Sequence, residues 1–255
     1  MINRLAMAQG VPGYENYSAG TGALGNITTG VSNIAIGYNA LTSNVSGNNN
    51  VAIGATSLEN IVSGIGNVGV GDSTLKNTTG DLNTAIGNAS MQENNSGARN
   101  TAIGSYSLKN NTTGSYNTAV GHTALEFNTT GDRNAALGNS SLQNNTTGSE
   151  NTAIGGTSMF ENTTGSKNAA LGSGSLRSNT TGSDNAALGA SSLRNNTTGY
   201  NNTAIGRASM FENITGSFNA ALGSDSLGKN TTGSDNAALG ANSLRNNTTG
   251  YNITA

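Results

Sequence analysis

Asn100-Thr101-Ala102-Ile103-Gly104-Ser105-Tyr106-Ser107-Leu108-Lys109-Asn110-Asn111-Thr112-Thr113-Gly114-Ser115-Tyr116 decides the fold, because this 17-residue stretch returns along nearly the whole chain. The Gly that closes the Ala-Ile-Gly or Ala-Leu-Gly tripeptide serves as the landmark of each coil. It falls at Gly20, Gly37, Gly54, Gly71, Gly87, Gly104, Gly121, Gly138, Gly155, Gly172, Gly189, Gly206, Gly223 and Gly240. Every step is 17 except the 16 from Gly71 to Gly87. Self-similarity at a short fixed period marks a stack of supersecondary units rather than one globular core.

Working outward from the landmark, a second Gly follows ten residues later in each full-length coil, as at Gly114 and Gly165, and a Leu or Met recurs four later, as at Leu108, Leu142 and Met159. Helix would be costly here, since each interior Gly disfavours it by about 1 kcal/mol. Gly-rich corners joining short extended segments suit the pattern better. The expectation is an all-β parallel β-solenoid (β-roll or β-helix) of about fifteen 17-residue coils, with two short strands per coil. Residues 1–255 read as a single repetitive stretch with no separate cap or anchor domain.

Asn stands four before the landmark at Asn16, Asn33, Asn50, Asn67, Asn83, Asn100, Asn117, Asn134, Asn151, Asn168, Asn185, Asn202, Asn219 and Asn236. Stacked coils lie one strand spacing apart, about 4.8 Å, so these amides are placed to hydrogen-bond up and down the stack as a structural ladder. Ala stands two before the landmark, as at Ala102, Ala153 and Ala187. Strand alternation puts it opposite the neighbouring Ile or Leu. With that aliphatic residue taken as core, the Ala column faces outward as a seam between subunits; a second tightly packed inner face is the alternative.

A longer period is superimposed. Met159-Phe160-Glu161-Asn162 returns as Met210-Phe211-Glu212-Asn213, an offset of 51 residues or three coils. Duplication of a three-coil block accounts for it, which a solenoid tolerates because each coil touches only its neighbours.

The runs Asn-Thr-Ala-Ile-Gly and Asn-Asn-Thr-Thr-Gly, as at 100–104 and 110–114, resemble the head repeats of trimeric autotransporter adhesins and the related repeats of bacterial and phage tail-fibre-like surface proteins. The resemblance covers essentially the whole chain. It implies a parallel β-roll, commonly a homotrimer, displayed outside the cell, on the cell surface or on a virion fibre.

Composition narrows the function classes. The 11 Lys and Arg are scattered singly against 13 Asp and Glu, giving no basic stripe for nucleic acid. No stretch is long and apolar enough for membrane insertion. Without Cys and with a single His, His122, the sequence offers neither a triad nor a transition-metal site, and no enzyme activity, metal or cofactor is expected. His122 and the acids Asp132, Glu150, Asp184 and Asp235, which lie just before the ladder Asn, read as solvated corner residues.

Asn-x-Ser/Thr triplets provide candidate glycan attachment at Asn26, Asn77, Asn111, Asn128, Asn145, Asn162, Asn179, Asn196, Asn213, Asn230 and Asn247, read as a vertical row at one corner. The alternative is that Asn and Thr are there for the turn alone. Together these readings predict an extracellular structural or adhesive fibre element whose partner is itself, as a trimer or a head-to-tail filament, the latter because the last coil stops midway at Ala255. Surface glycans are a further candidate ligand. Ice or glycan binding by Thr and Asn arrays such as Thr112-Thr113 is the competing function; only one Thr of each pair can face outward.

Overall fold

The computed structural model describes residues 15–255, which fall into two compact units, the first ending at Thr123 and the second spanning Ala124–Ala255. Both are built from the same coil. In the first unit each coil contributes one strand: β1 (Tyr17–Ala19), β2 (Ile34–Ile36), β3 (Val51–Ile53), β4 (Val68–Val70), β5 (Thr84–Ile86), β6 (Thr101–Ile103) and β7 (Thr118–Val120). The second unit holds β8 (Ala135–Leu137), β9 (Thr152–Ile154), β10 (Ala169–Leu171), β11 (Ala186–Leu188), β12 (Thr203–Ile205), β13 (Ala220–Leu222) and β14 (Ala237–Leu239).

Within each unit every strand pairs in parallel with the next in sequence, like residue on like residue: Ala102 with Ala119 and Ile103 with Val120, Ala153 with Ala170 and Ile154 with Leu171. The 16-residue step is absorbed outside the sheet, since Val68 still pairs with Thr84. The fold is thus a parallel β-solenoid with no helix among the described residues.

Each coil carries one three-residue strand, not two. The segment around the Leu or Met is a tight turn held by bonds to the neighbouring coil, such as Met91 N–H to Ser107 C=O at 2.9 Å. Its backbone is unusual. The landmark Gly has φ between 120° and 141°, and a Cβ on Gly104 would lie 2.5 Å from the Gly121 carbonyl oxygen, so only Gly satisfies both the dihedral and the stacking distance. Two and four residues later come non-Gly residues in the left-handed region, Tyr106 at φ 59° and Leu108 at φ 49°. A left-handed Leu costs about 1–2 kcal/mol. Leu108 is fully buried, which stabilises by about 1.5–3 kcal/mol and outweighs that strain.

The interior is narrow. Facing inward in most coils are the Leu or Met, the small strand-centre residue, a Ser and Asn side chains, as Leu142, Ala136, Ser141, Asn134 and Asn145, all at most 1% exposed, with Ala40, Thr74 and Ala124 at the Ser position of other coils. The inside and outside of the strand are therefore the reverse of the expectation from sequence. Ala102, Ala153 and Ala187 are fully buried, whereas Ile103, Ile154 and Leu188 point out, 38–40% exposed. The physical reason is room: with Leu filling the cross-section from the opposite turn, only a residue as small as Ala, Ser18 or Gly69 fits at the strand centre.

Candidate functional site

Three surfaces of the coil carry side chains in register. The first is internal. Asn151 donates from its side-chain nitrogen to Asn134 Oδ1 at 3.1 Å and to the Gly165 carbonyl at 2.8 Å, and its backbone N–H also reaches Asn134 Oδ1 at 3.0 Å. Asn168 and Asn185 repeat this pattern, as do Asn202, Asn219 and Asn236. In the first unit Asn33, Asn50, Asn67, Asn83 and Asn117 donate in the same way to the Asn before them, and Asn100 keeps the backbone bond, N–H to Asn83 Oδ1 at 3.0 Å.

A second ladder runs parallel to it, seven residues after the landmark, where Asn recurs in every coil from Asn94 to Asn247; the coils of Gly54 and Gly71 carry Ile61 and Thr78 at that place. Asn145 donates to Asn128 Oδ1 at 2.8 Å and to the Gly148 carbonyl at 2.9 Å; Asn162, Asn179, Asn196, Asn213 and Asn230 follow. The Gly148 carbonyl also accepts from Asn134 at 2.9 Å, so one Gly oxygen ties the two ladders together within a coil. A buried Ser adds a third column, Ser158 Oγ meeting Ser175 Oγ at 3.1 Å and donating to the Ala170 carbonyl at 3.2 Å. No buried side-chain polar atom among the described residues lacks a partner.

These positions decide what the Asn-x-Thr triplets can do. Asn111, Asn128, Asn145, Asn162, Asn179, Asn196, Asn213 and Asn230 are fully buried, their Nδ2 donors engaged in the second ladder. Asn247 is half-buried and bonded to Asn230 Oδ1 at 3.0 Å. A glycan needs that same Nδ2 and open space, so the expected glycan-coated row is an interior hydrogen-bond column. Asn26 and Asn77 stand six after their landmarks, on the outer side of the corner: Asn26 is exposed, and half-buried Asn77 bonds Asn60 and Glu93 at 2.7 Å each. The one-residue difference in register was legible in the sequence and separates the two classes.

The Thr pairs divide as alternation requires. Thr146 and Thr163 donate their hydroxyls to the backbone of the next coil at 3.0 Å, while Thr147 and Thr164 are exposed, a single outward column. The acids Glu150, Asp184 and Asp235 are exposed at left-handed corner positions, with Asp132 half-buried nearby. His122 is exposed and meets Tyr106 edge-on, ring centroids 6.1 Å apart. Among the described residues no group of three His, Cys, Asp or Glu could hold a metal ion, and no helix is long and apolar enough to cross a membrane.

The remaining surface is the outer strand face, which sequence reasoning assigned to the wrong column. From β2 onward its two outward positions carry Thr, Ala or another aliphatic residue at the strand start and Ile, Leu or Val at the strand end, β1 having Tyr17 and Ala19 there, with no charged residue in any described strand. From β5 onward the two positions vary together: strands starting with Thr end in Ile or Val, and strands starting with Ala end in Leu. Leu, branched one carbon further out, reaches toward the space that Ala leaves beside it. Compared with protein-family models and with curated proteins, the chain matches none of either.

Proposed function

We propose that this chain is an extracellular structural or adhesive fibre element that associates with copies of itself through the outer strand face. The observation that carries the reading is the exposed aliphatic column, Ile86 and Ile103 in one unit and Ile154, Leu171, Leu188 and Ile205 in the other, each 38–40% exposed. Contiguous apolar surface of this kind marks a contact face. The column repeats once per coil, about every 4.8 Å, so a partner must present apolar groups at the same pitch to touch every coil. A second copy of the chain does so.

The repeat resemblance to trimeric adhesin heads and tail-fibre-like proteins supports the same reading. So does the uniformity of the coils: the strands from β2 to β14 among the described residues offer repeated contact rather than one convergent constellation of groups. Sedimentation of the purified chain and of the double variant Leu171→Lys, Leu188→Lys tests it. The parent is expected to sediment as a dimer or larger species and the variant as a monomer with unchanged circular dichroism. Equal sedimentation of the two would overturn the assignment of the face.

A further inference from the structure

We propose that a surface notch at Gly228 binds a guanidinium group, presented by an arginine side chain of a partner protein. The three-coil duplication supplies the template. In the first copy of the block, Arg177 lies over the Phe160 ring, 5.4 Å from its centroid, and its guanidinium faces Glu161 at 3.6 Å. In the second copy Phe211 and Glu212 occupy the positions of Phe160 and Glu161, 51 residues on, but Gly228 stands where the block has Arg177. The ring and the carboxylate remain, and the cation between coils is missing.

The space left is a notch of about 250 Å³ lined by Phe211, Glu212, Asp225, Gly228, Lys229 and Arg245 among others. On its other side Phe211 carries Arg194, 5.6 Å from the ring centroid, so that side is already used. Glu212 N–H bonds the Gly228 carbonyl at 3.0 Å, which fixes the carboxylate-bearing residue against the notch floor. The face of a phenyl ring is negative and attracts planar cations. Asp225 adds a second carboxylate that replaces Gly174 of the first block, although Arg207 holds it at 3.3 Å. The two cations on the rim, Lys229 and Arg245, are exposed to water, which screens them. An anion entering the notch would have to face the ring, so the mixed rim favours a cation on the Phe211 side. Arginine rather than lysine fits, because the planar fork stacks on the ring while reaching a carboxylate.

Titration of the full chain with N-acetyl-arginine methylamide, followed by amide resonances in NMR, tests the proposal. Saturating shifts are expected at Gly228 and Lys229, with the citrulline analogue, equal in shape but uncharged, binding about tenfold more weakly. Gly228→Arg fills the notch from within and should abolish the response; a Cβ there lies 3.0 Å from the Asp225 carbonyl oxygen, so the turn must relax by a few tenths of an ångström to admit it. Phe211→Leu keeps the apolar bulk, removes the ring and should weaken binding, and it decides the question if Gly228→Arg does not fold. Absence of saturating shifts, an equal response to the citrulline analogue, or shifts unaltered by the folded variants would overturn the site.

Discussion

Asn162 shows what a single residue contributes to this interior. It donates to Asn145 Oδ1 at 2.7 Å and to Gly165 C=O at 3.0 Å, and accepts from Asn179 at 2.8 Å. Replacing it with Ala removes these bonds while leaving its ladder neighbours buried, at about 1–3 kcal/mol for each group left unsatisfied. Asn162→Ala should therefore lower the denaturant midpoint markedly, whereas Thr147→Ala on the exposed column should change stability by less than about 0.5 kcal/mol. Equal midpoints for the two would refute the internal ladder. The left-handed positions give a prediction of opposite sign. Thr157 sits at φ 53°, where a β-branched residue is strained, and Asn39 and Asn242 occupy the same place in other coils. Thr157→Asn should raise stability by up to about 1 kcal/mol, since Asn enters this region more easily; thermal unfolding reads the difference.

At the scale of the element, the strand is short because the landmark Gly ends it and the inner turn begins at once. Gly155→Ala should cost well over 1 kcal/mol, because Gly155 has φ 126° and a Cβ would lie 2.7 Å from the Gly172 carbonyl carbon. An unchanged melting temperature would contradict the stacking distance. Coil length, all-β class, parallel stacking and the first Asn ladder could be read from periodicity alone. The facing of the strand could not, because alternation says that Ala153 and Ile154 point opposite ways without saying which is inside. The missed signal was size. The strand centre is Ser, Ala or Gly in every coil, while the strand end admits Ile, Leu, Val and Ala, and a narrow interior tolerates only the small set. The triplet Asn residues were misplaced for a similar reason, since an Asn-Thr-Thr corner looks exposed until its seven-residue offset is seen to point at Gly148.

For the whole molecule, the two faces of the strand carry separate consequences. The buried Ala, Leu and Asn columns give each unit its stability through nearest-neighbour coils, so unfolding should spread over local steps rather than follow one all-or-none transition. Hydrogen exchange should accordingly detect protection that varies from coil to coil. The exposed Ile and Leu column contributes little to that stability and is available for contact with other chains. The measurement that bears most directly on self-association is electron cryomicroscopy of the assembled protein. The account predicts the strand faces of adjacent chains packed against each other, about 10 Å apart, with Ile154, Leu171 and Leu188 covered. Assemblies in which this face is bare and the contacts are made by the Thr corners would contradict it.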